Sequence, residues 1–367
     1  LNFNIDRIFS EYKGDFVIGL HGRKYMESGL QTERDRHILR CLVDNHVSTA
    51  SPVGSKSIAG HTAMRVSPAT IRNTMVELEE AGYISRPHSS AGGVPTDKGY
   101  RFYVDRLIES KPPAPADRKY IDQKMQCDWN SIQEILAHTS HVLGMVCKEL
   151  GVALTPRLYE GDFQRLELVP VAPRKVLLVL MLTSGLVRNI VAELDSDIPS
   201  SVLEETCRIL NERLSGCSLL DIKKQADERL KDMPRADRNV VQLFIQYSDY
   251  LCDFQENEQV HMGGTTHIVS QPEFTDHLKL SRLLDFVEHR QTVAEWLHKR
   301  DHQNNVAVTI GHEHFHIEMH VCSVVTSTYT LGDITGVIGV IGPTRMPYSR
   351  LMGIVGYTAH RISTLLS

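Results

Sequence analysis

The sequence predicts an α+β multidomain protein, with an N-terminal winged helix-turn-helix ahead of a larger region whose strands are interrupted by a mostly helical insertion. Three observations predict it. Residues 31–108 hold helix, turn, helix and hairpin signals in that order. A Pro-rich stretch, Lys111-Pro-Pro-Ala-Pro-Ala-Asp117, follows them. Beyond it, strand-like runs at Lys175–Leu182 and Val306–Ile310 flank a stretch of helical periodicity.

The helix-turn-helix begins with Ile38, Leu39, Leu42 and Val43, which recur at helical spacing and give Glu33–His46 a buried stripe. Cys41 lies on that helix among apolar neighbours and reads as a buried thiol, not a nucleophile. Ser51-Pro-Val-Gly-Ser55 breaks the chain, and Lys56–Ala59 forms a short second helix. Ser67 is a good N-cap and Pro68 suits the first helical position, so a third helix starts there and ends at Gly82. Its inward face is Ile71, Met75 and Leu78; the other face holds Ser67, Ala69, Thr70, Arg72 and Asn73. Short polar and basic groups at a helix N-terminus are what a recognition helix presents to a major groove. Tyr83-Ile-Ser-Arg86, the tip Pro87–Gly93 and the return Val94-Pro-Thr96 make the wing. Arg86 and His88, with Ser89 and Ser90 at the tip, are placed against the sugar-phosphate backbone, the alternative being solvated turn residues. Lys56 and Arg65 add positive charge for phosphates.

The Pro-rich stretch reads as a semi-rigid linker over 109–124, because consecutive prolines cannot continue a helix. After it come a helical pattern at Ile132–Leu150, the strand Lys175–Leu182 and a helix at Val202–Leu214. From 218 to 302 the pattern is mostly helical, with Val240, Leu243, Phe244 and Tyr247 at helical spacing. Strand character returns at Val306–Ile310, Ile317–Tyr329 and Val337–Ile341, and a helix at Tyr348–Leu366 closes the chain. The segments are therefore 1–30, an extension expected to be poorly ordered, 31–108, 109–124, 125–217, 218–302 and 303–367.

Totals narrow the function. The 367 residues suit two or three domains at roughly 100–200 residues each. With 41% hydrophobic and 23% charged residues the composition is that of a globular protein. The longest apolar run, Val176–Leu182, falls far short of the roughly 18–20 residues that cross a bilayer, and residues 1–29 mix charges among apolar residues unlike a secretory signal. A cytoplasmic protein without a membrane partner is expected. Seven cysteines with no C-x-x-C pair fit neither a disulfide framework nor a zinc ribbon. The net charge of −5 gives no global sign of nucleic-acid binding, yet Pro52–Val76 holds Lys56, Arg65 and Arg72 and no acid.

Two other motifs draw attention. If Gly311-His-Glu-His-Phe-His-Ile-Glu-Met-His320 is a strand, His312, His314 and His316 share a face with Glu318 and His320, opposite Phe315, Ile317 and Met319. A solvated polar face over an apolar one explains this alternation; the lesser alternative is that His312, His314 and His316 ligate a metal. Gly336-Val-Ile-Gly-Val-Ile-Gly342 lacks the dinucleotide fingerprint and reads as a close-packed core strand. No nucleophile elbow, P-loop or carboxylate pair stands out, so no enzyme and no cofactor are expected.

Pro52-Val-Gly-Ser55, Ser67-Pro-Ala-Thr-Ile-Arg-Asn73, Leu78-Glu-Glu-Ala-Gly82, Pro87-His-Ser-Ser-Ala-Gly92 and Val94-Pro-Thr-Asp-Lys-Gly-Tyr-Arg-Phe-Tyr-Val-Asp-Arg106 resemble the heat-inducible transcription repressor HrcA family. Gly263-Gly-Thr-Thr266, Gln271-Pro-Glu-Phe274 and Ile341-Gly-Pro-Thr-Arg-Met346 extend the resemblance over about residues 30–367. It implies a homodimer that binds an inverted-repeat operator in double-stranded DNA before chaperone genes, releases it on heat shock, and is helped to its active state by the chaperonin. It also implies a GAF-like domain, 125–217 and 303–367, split by an inserted dimerising domain at 218–302. Family members carry a basic residue where this chain has Gly93, and residues 1–29 match nothing in the family pattern. Thr70, Arg72 and Asn73 are then the base-reading residues, while Lys56, Arg65, Arg86 and the Ser67–Pro68 end of the helix position phosphates. The alternative function is a small-molecule-responsive regulator that senses a ligand through the GAF-like domain.

Overall fold

The computed structural model describes residues 30, 32–61, 66–88, 91–126, 131–156, 160–194, 197–229, 260–298 and 306–366. Residues 1–29, Arg65, Ser89, Ser90 and the helix expected around Val240–Tyr247 lie outside them. The protein mixes helix and sheet and divides into two units, Leu1–Leu107 and Ile108–Ser367.

In the first unit, α1 (Glu33–Thr49) starts on Thr32, whose hydroxyl accepts from the Asp35 amide at 3.1 Å, and stops at Ala50 in the left-handed region. It buries Ile38, Leu39, Leu42 and Val43, as its periodicity predicts. Cys41, one step round the helix, is only half-buried, with Sγ 3.5 Å from His37 Nε2. α2 (Ser55–His61) adds Ile58, and α3 (Pro68–Glu80) adds Ile71, Thr74, Met75 and Leu78. Each of these large apolar side chains contributes about 1.5–3 kcal/mol by leaving water. β1 (Ile84–Ser85) pairs antiparallel with β2 (Val94–Pro95), and an isolated bridge joins Val53 to Gly93. α4 (Asp97–Phe102), capped by Thr96, runs into a wider turn at Tyr103–Leu107; the Tyr103 hydroxyl donates to Asp44 on α1.

The described residues of the second unit form two sheets. α5 (Pro115–Lys124) and α6 (Ile132–Cys147) precede β3 (Leu150–Leu154). β4 (Phe163–Ala172), β5 (Lys175–Leu182) and β6 (Val187–Glu193) form a three-stranded antiparallel meander, followed by α7 (Ser200–Leu214) and α8 (Leu219–Arg229). β7 (Val260–Gly263) leads to α9 (Thr265–Val269), α10 (His277–Glu288) and α11 (Arg290–His298). β8 (Val306–Ile310), β9 (Cys322–Leu331), β10 (Ile334–Pro343) and α12 (Tyr348–Leu366) complete it. The larger sheet has the order β7-β3-β10-β9-β8, antiparallel throughout. On one face Leu150, Val152, Val324, Val337 and Ile341 share a core with α10 and α11; α6 and α12 pack against the same strands from alternate positions such as Ser323, which bonds the Tyr348 hydroxyl at 2.7 Å. The glycine-rich run Gly336–Gly342 is a core strand, as expected.

Several sequence expectations need correction. The boundaries at 217/218 and 302/303 cut across the packing. Phe163, Leu166, Leu178, Leu180, Leu203, Leu210 and Ile222 form one core within 163–222, whereas Ile268, Phe274, Leu283 and Trp296 belong to the core of the larger sheet. Among the described residues between β3 and β7, β4–β6 and α7 share one core, whereas α9–α11, after β7, pack on the larger sheet. Periodicity identifies a helix or strand but not the sheet against which its apolar side lies.

The linker 109–124 is in large part the helix α5, because Pro115 sits at its first position, where a missing N–H costs nothing. Asp117 pairs with Arg350 at 3.0 Å, and Asp122 with Arg361 at 2.9 Å, so α5 is held on α12. The Ile132–Leu150 helix ends at Cys147, where Lys148 turns left-handed and Leu150 starts β3.

The histidine segment is not a strand. Gly311 at φ +51° turns the chain straight after β8, and Gly311–Glu313 and Ile317–Met319 are single 3-10 turns, so β9 starts at Cys322. His314 lies against Trp296 at 5.5 Å between ring centres, His316 against Phe286 at 5.1 Å, and His312 stacks on His320 at 4.4 Å. The three do not share a face, and among the described residues no group of three or more His, Cys, Asp or Glu is arranged to hold a metal. Met319 is buried, but Phe315 and Ile317 are exposed, contrary to the alternation.

Candidate nucleic-acid interface

The interface is built on α3. Ser67 holds an extended backbone, and its Oγ accepts from the Thr70 amide at 3.2 Å, which fixes where the helix begins. Pro68 occupies the first turn without sacrificing a hydrogen bond. From there the buried stripe turns Ala69, Arg72, Asn73 and Val76 outward into solvent. Thr70 is half-buried, and its hydroxyl lies 3.0 Å from Ser67 Oγ, so this residue belongs to the cap.

The other end of α3 is tied down from behind. Gly82, at φ +76°, takes the left-handed conformation that releases the chain from the helix. Lys98 Nζ donates to Ala81 O at 2.8 Å and lies 4.6 Å from the centre of the Tyr83 ring. Thr96 Oγ1 donates to Gly82 O at 2.7 Å. At the N-terminal end Ser67 caps the Thr70 amide and the Ile71 amide bonds Ser67 O at 3.0 Å, so the first turn is closed while the helix dipole keeps that end positive.

Of the other predicted residues, Lys56 is exposed on α2 and His88 is exposed after β1. Arg86 is half-buried and ion-paired with Glu79 on α3, with Nε 3.3 Å from Oε2. Gly93 is buried, its N–H and C=O each bonded to Val53 at 2.9 Å, and a Cβ there would come within 2.9 Å of the Ile84 side chain. Gly93 thus clamps the ribbon to Val53 through its backbone, where a side chain would crowd Ile84. The structure brings together Ser67, Pro68, Ala69, Arg72 and Asn73 on one projecting surface; Arg65, Ser89 and Ser90 lie outside the described residues. Sequence reasoning missed Val76, although continuing the Ala69–Arg72–Asn73 stripe by one step reaches it.

A family model described as HrcA protein C terminal domain matches residues 133–352. A heat-inducible transcription repressor HrcA from Chlorobium phaeobacteroides (strain BS1) is 36% identical over 347 residues, covering 92% of this chain and 98% of the relative. The protein of that name from Halalkalibacterium halodurans is 32% identical, covering 92% and 98%. A crystal structure titled as that of a hypothetical protein superposes with a TM-score of 0.56 at 21% identity, covering 91% of this chain and 98% of that one, which places the two in one fold. Among the described residues no helix is long and apolar enough to cross a membrane.

Proposed function

The chain belongs to the heat-inducible transcription repressor HrcA family, and from that premise we propose that it represses chaperone genes by binding an inverted-repeat operator as a homodimer. The N-terminal unit acts as a winged helix-turn-helix, with α3 in the major groove and the β1–β2 ribbon as the wing. The observation that carries this reading is the outward stripe Ala69, Arg72 and Asn73 on a helix whose first half holds no acid. Arg72 and Asn73 read base edges by bidentate hydrogen bonds, while Lys56, the Ser67–Pro68 helix end and Arg86 hold phosphates, with His88 and the Ser89–Ser90 tip along the backbone.

The larger sheet with α6, α10, α11 and α12 serves as the GAF-like domain, and the unit on β4–β6 as the inserted dimerising domain. What supports the latter is the outer face of the meander. There Val169, Leu177 and Val191 lie in register across three strands, with Val179, Met181 and Val187 beside them, opposite the face that α7 covers. This apolar row is flanked on the same face by the ion pairs Arg165–Glu167 and Lys175–Glu193, an apolar centre with a charged rim that suits an interaction surface. Heating releases the operator by loosening the dimer, and the chaperonin assists assembly of the active state in the cytoplasm.

Electrophoretic mobility shift against the DNA upstream of the host's chaperonin operon tests this reading. A specific complex that unlabelled operator competes away is expected; equal binding to unrelated DNA would overturn it.

A further inference from the structure

We propose that Val76 reads the methyl group of a thymine in the operator, which makes it a specificity-determining residue beside Arg72 and Asn73. The inference rests on the reading of α3 as a groove-binding helix and adds a named base contact to it.

Among the described residues of Leu1–Leu107, Val76 is the one large hydrophobic side chain that is exposed, at 38%. A β-branched residue loses rotamer freedom in a helix, and here more than a third of its surface still faces water. The same stiffness suits docking, since a side chain held in one rotamer has little left to lose. Val76 completes the stripe Ala69, Arg72, Asn73 and Val76, spaced at i, i+3, i+4 and i+7. It stands four residues beyond Arg72, about 6 Å along the axis, or roughly two base steps of ~3.4 Å. In the major groove the apolar feature on a base edge is the thymine C5 methyl, and a polar edge would lose hydrogen bonds against valine. The stripe's next positions, Glu77 at i+8 and Glu80 at i+11, are exposed acids whose charge phosphates repel, so Val76 is the last position of the stripe that suits the groove.

The test uses the full chain and its Val76→Ala variant on the operator fragment, unmodified and with each thymine replaced in turn by deoxyuridine, which removes only the methyl. Wild type should lose about fourfold in affinity at one thymine of each half-site, as expected for one buried methyl. Val76→Ala, which removes the contact from both half-sites of the dimer, should lose about the square of that factor, roughly 16-fold, on unmodified DNA and be indifferent to deoxyuridine at that position. Its melting temperature should change little, because alanine's helix preference offsets the packing that a partly covered valine loses. The inference is overturned if Val76→Ala binds like wild type, or if every deoxyuridine affects both proteins equally. Failure of the wild type to bind the unmodified fragment would instead sink the groove reading itself.

Discussion

Arg86 on the ribbon and Glu79 on α3 form an ion pair, with Nε 3.3 Å from Oε2. The pair fixes the ribbon to the helix, yet it also occupies a guanidinium that the proposed interface would direct at phosphate. The side chains are 19% and 37% exposed, and a pair so near the surface contributes at most ~1 kcal/mol to stability. Glu79→Gln should free Arg86 in each protomer, tighten operator binding severalfold and steepen the slope of log affinity against log salt by about two, one for each half-site. Titrations at several salt concentrations measure this. An unchanged slope would mean that Arg86 does not reach DNA.

Arg72 is exposed, one step after the buried Ile71. Arg72→Ala should therefore leave the melting temperature unchanged while weakening operator binding by about 1–3 kcal/mol and relaxing preference at one base pair of each half-site. Fluorescence anisotropy on operators varied one position at a time provides the check. Uniform weakening across all sequences would reassign Arg72 to a phosphate.

Glu149 lies buried between α6 and β3, and among the described residues its Oε2 has no hydrogen-bond partner. Burial pushes its carboxyl up from 4.5 to about 8, against the opposing pull of Arg345, while Glu273 adds to the rise. The folded state thus keeps a proton that the unfolded chain releases above pH 4.5. The group's contribution to stability is present in full below that value and is lost as pH rises through about 8. Glu149→Gln cannot ionise, so its melting temperature relative to wild type should rise by several degrees between pH 5 and pH 8. A constant difference across that range would show that Glu149 is already ionised in the fold.

How far the sequence disclosed the molecule follows from how local each signal is. The Ser67–Pro68 start, the Ile71–Met75–Leu78 stripe and the Gly82 stop lie within one helix, and α3 has those bounds. β5, β8 and α12 likewise match the expected Lys175–Leu182, Val306–Ile310 and Tyr348–Leu366. Long-range choices were hidden. Nothing near Phe163 or Leu283 states which sheet each joins, and the alternating histidines imitated a strand that Gly311 ends. At the site, Arg72 and Asn73 were legible because helical phase alone exposes them; the Glu79 partner of Arg86 depends on tertiary packing.

Gly353 on α12 is where the segment before α5 is seated. A Cβ there would collide with Lys111 O, and the Lys111 amide donates to Ser349 O at 3.1 Å. Gly353→Ala should lift that segment and cost about 1–3 kcal/mol, as overpacking does. Hydrogen exchange of the Lys111 amide should accelerate together with the loss of stability. Protection equal to wild type would mean that α12 shifts to accommodate the methyl without undocking the segment.

Val191 stands at the end of the Val169–Leu177–Val191 row, 51% exposed, on the face proposed to join two copies. A lysine there keeps the strand's backbone bonds and, in a monomer, places its ammonium in water, so folding should be little affected. In a dimer the same ammonium would be taken out of water against Val169 and Leu177, while the nearest carboxylate on that face, Glu193, is already paired with Lys175, so burial should cost the dimer a few kcal/mol. Val191→Lys should therefore sediment as a monomer at micromolar concentration with unchanged far-ultraviolet circular dichroism. It should also bind the operator far more weakly, because two half-sites engaged by one linked dimer gain about 10²–10⁴ over separate binding. A variant that stays dimeric would assign the interface to another face of the second unit. A monomer that binds the operator as tightly as wild type would show that dimerisation through this sheet contributes nothing to repression.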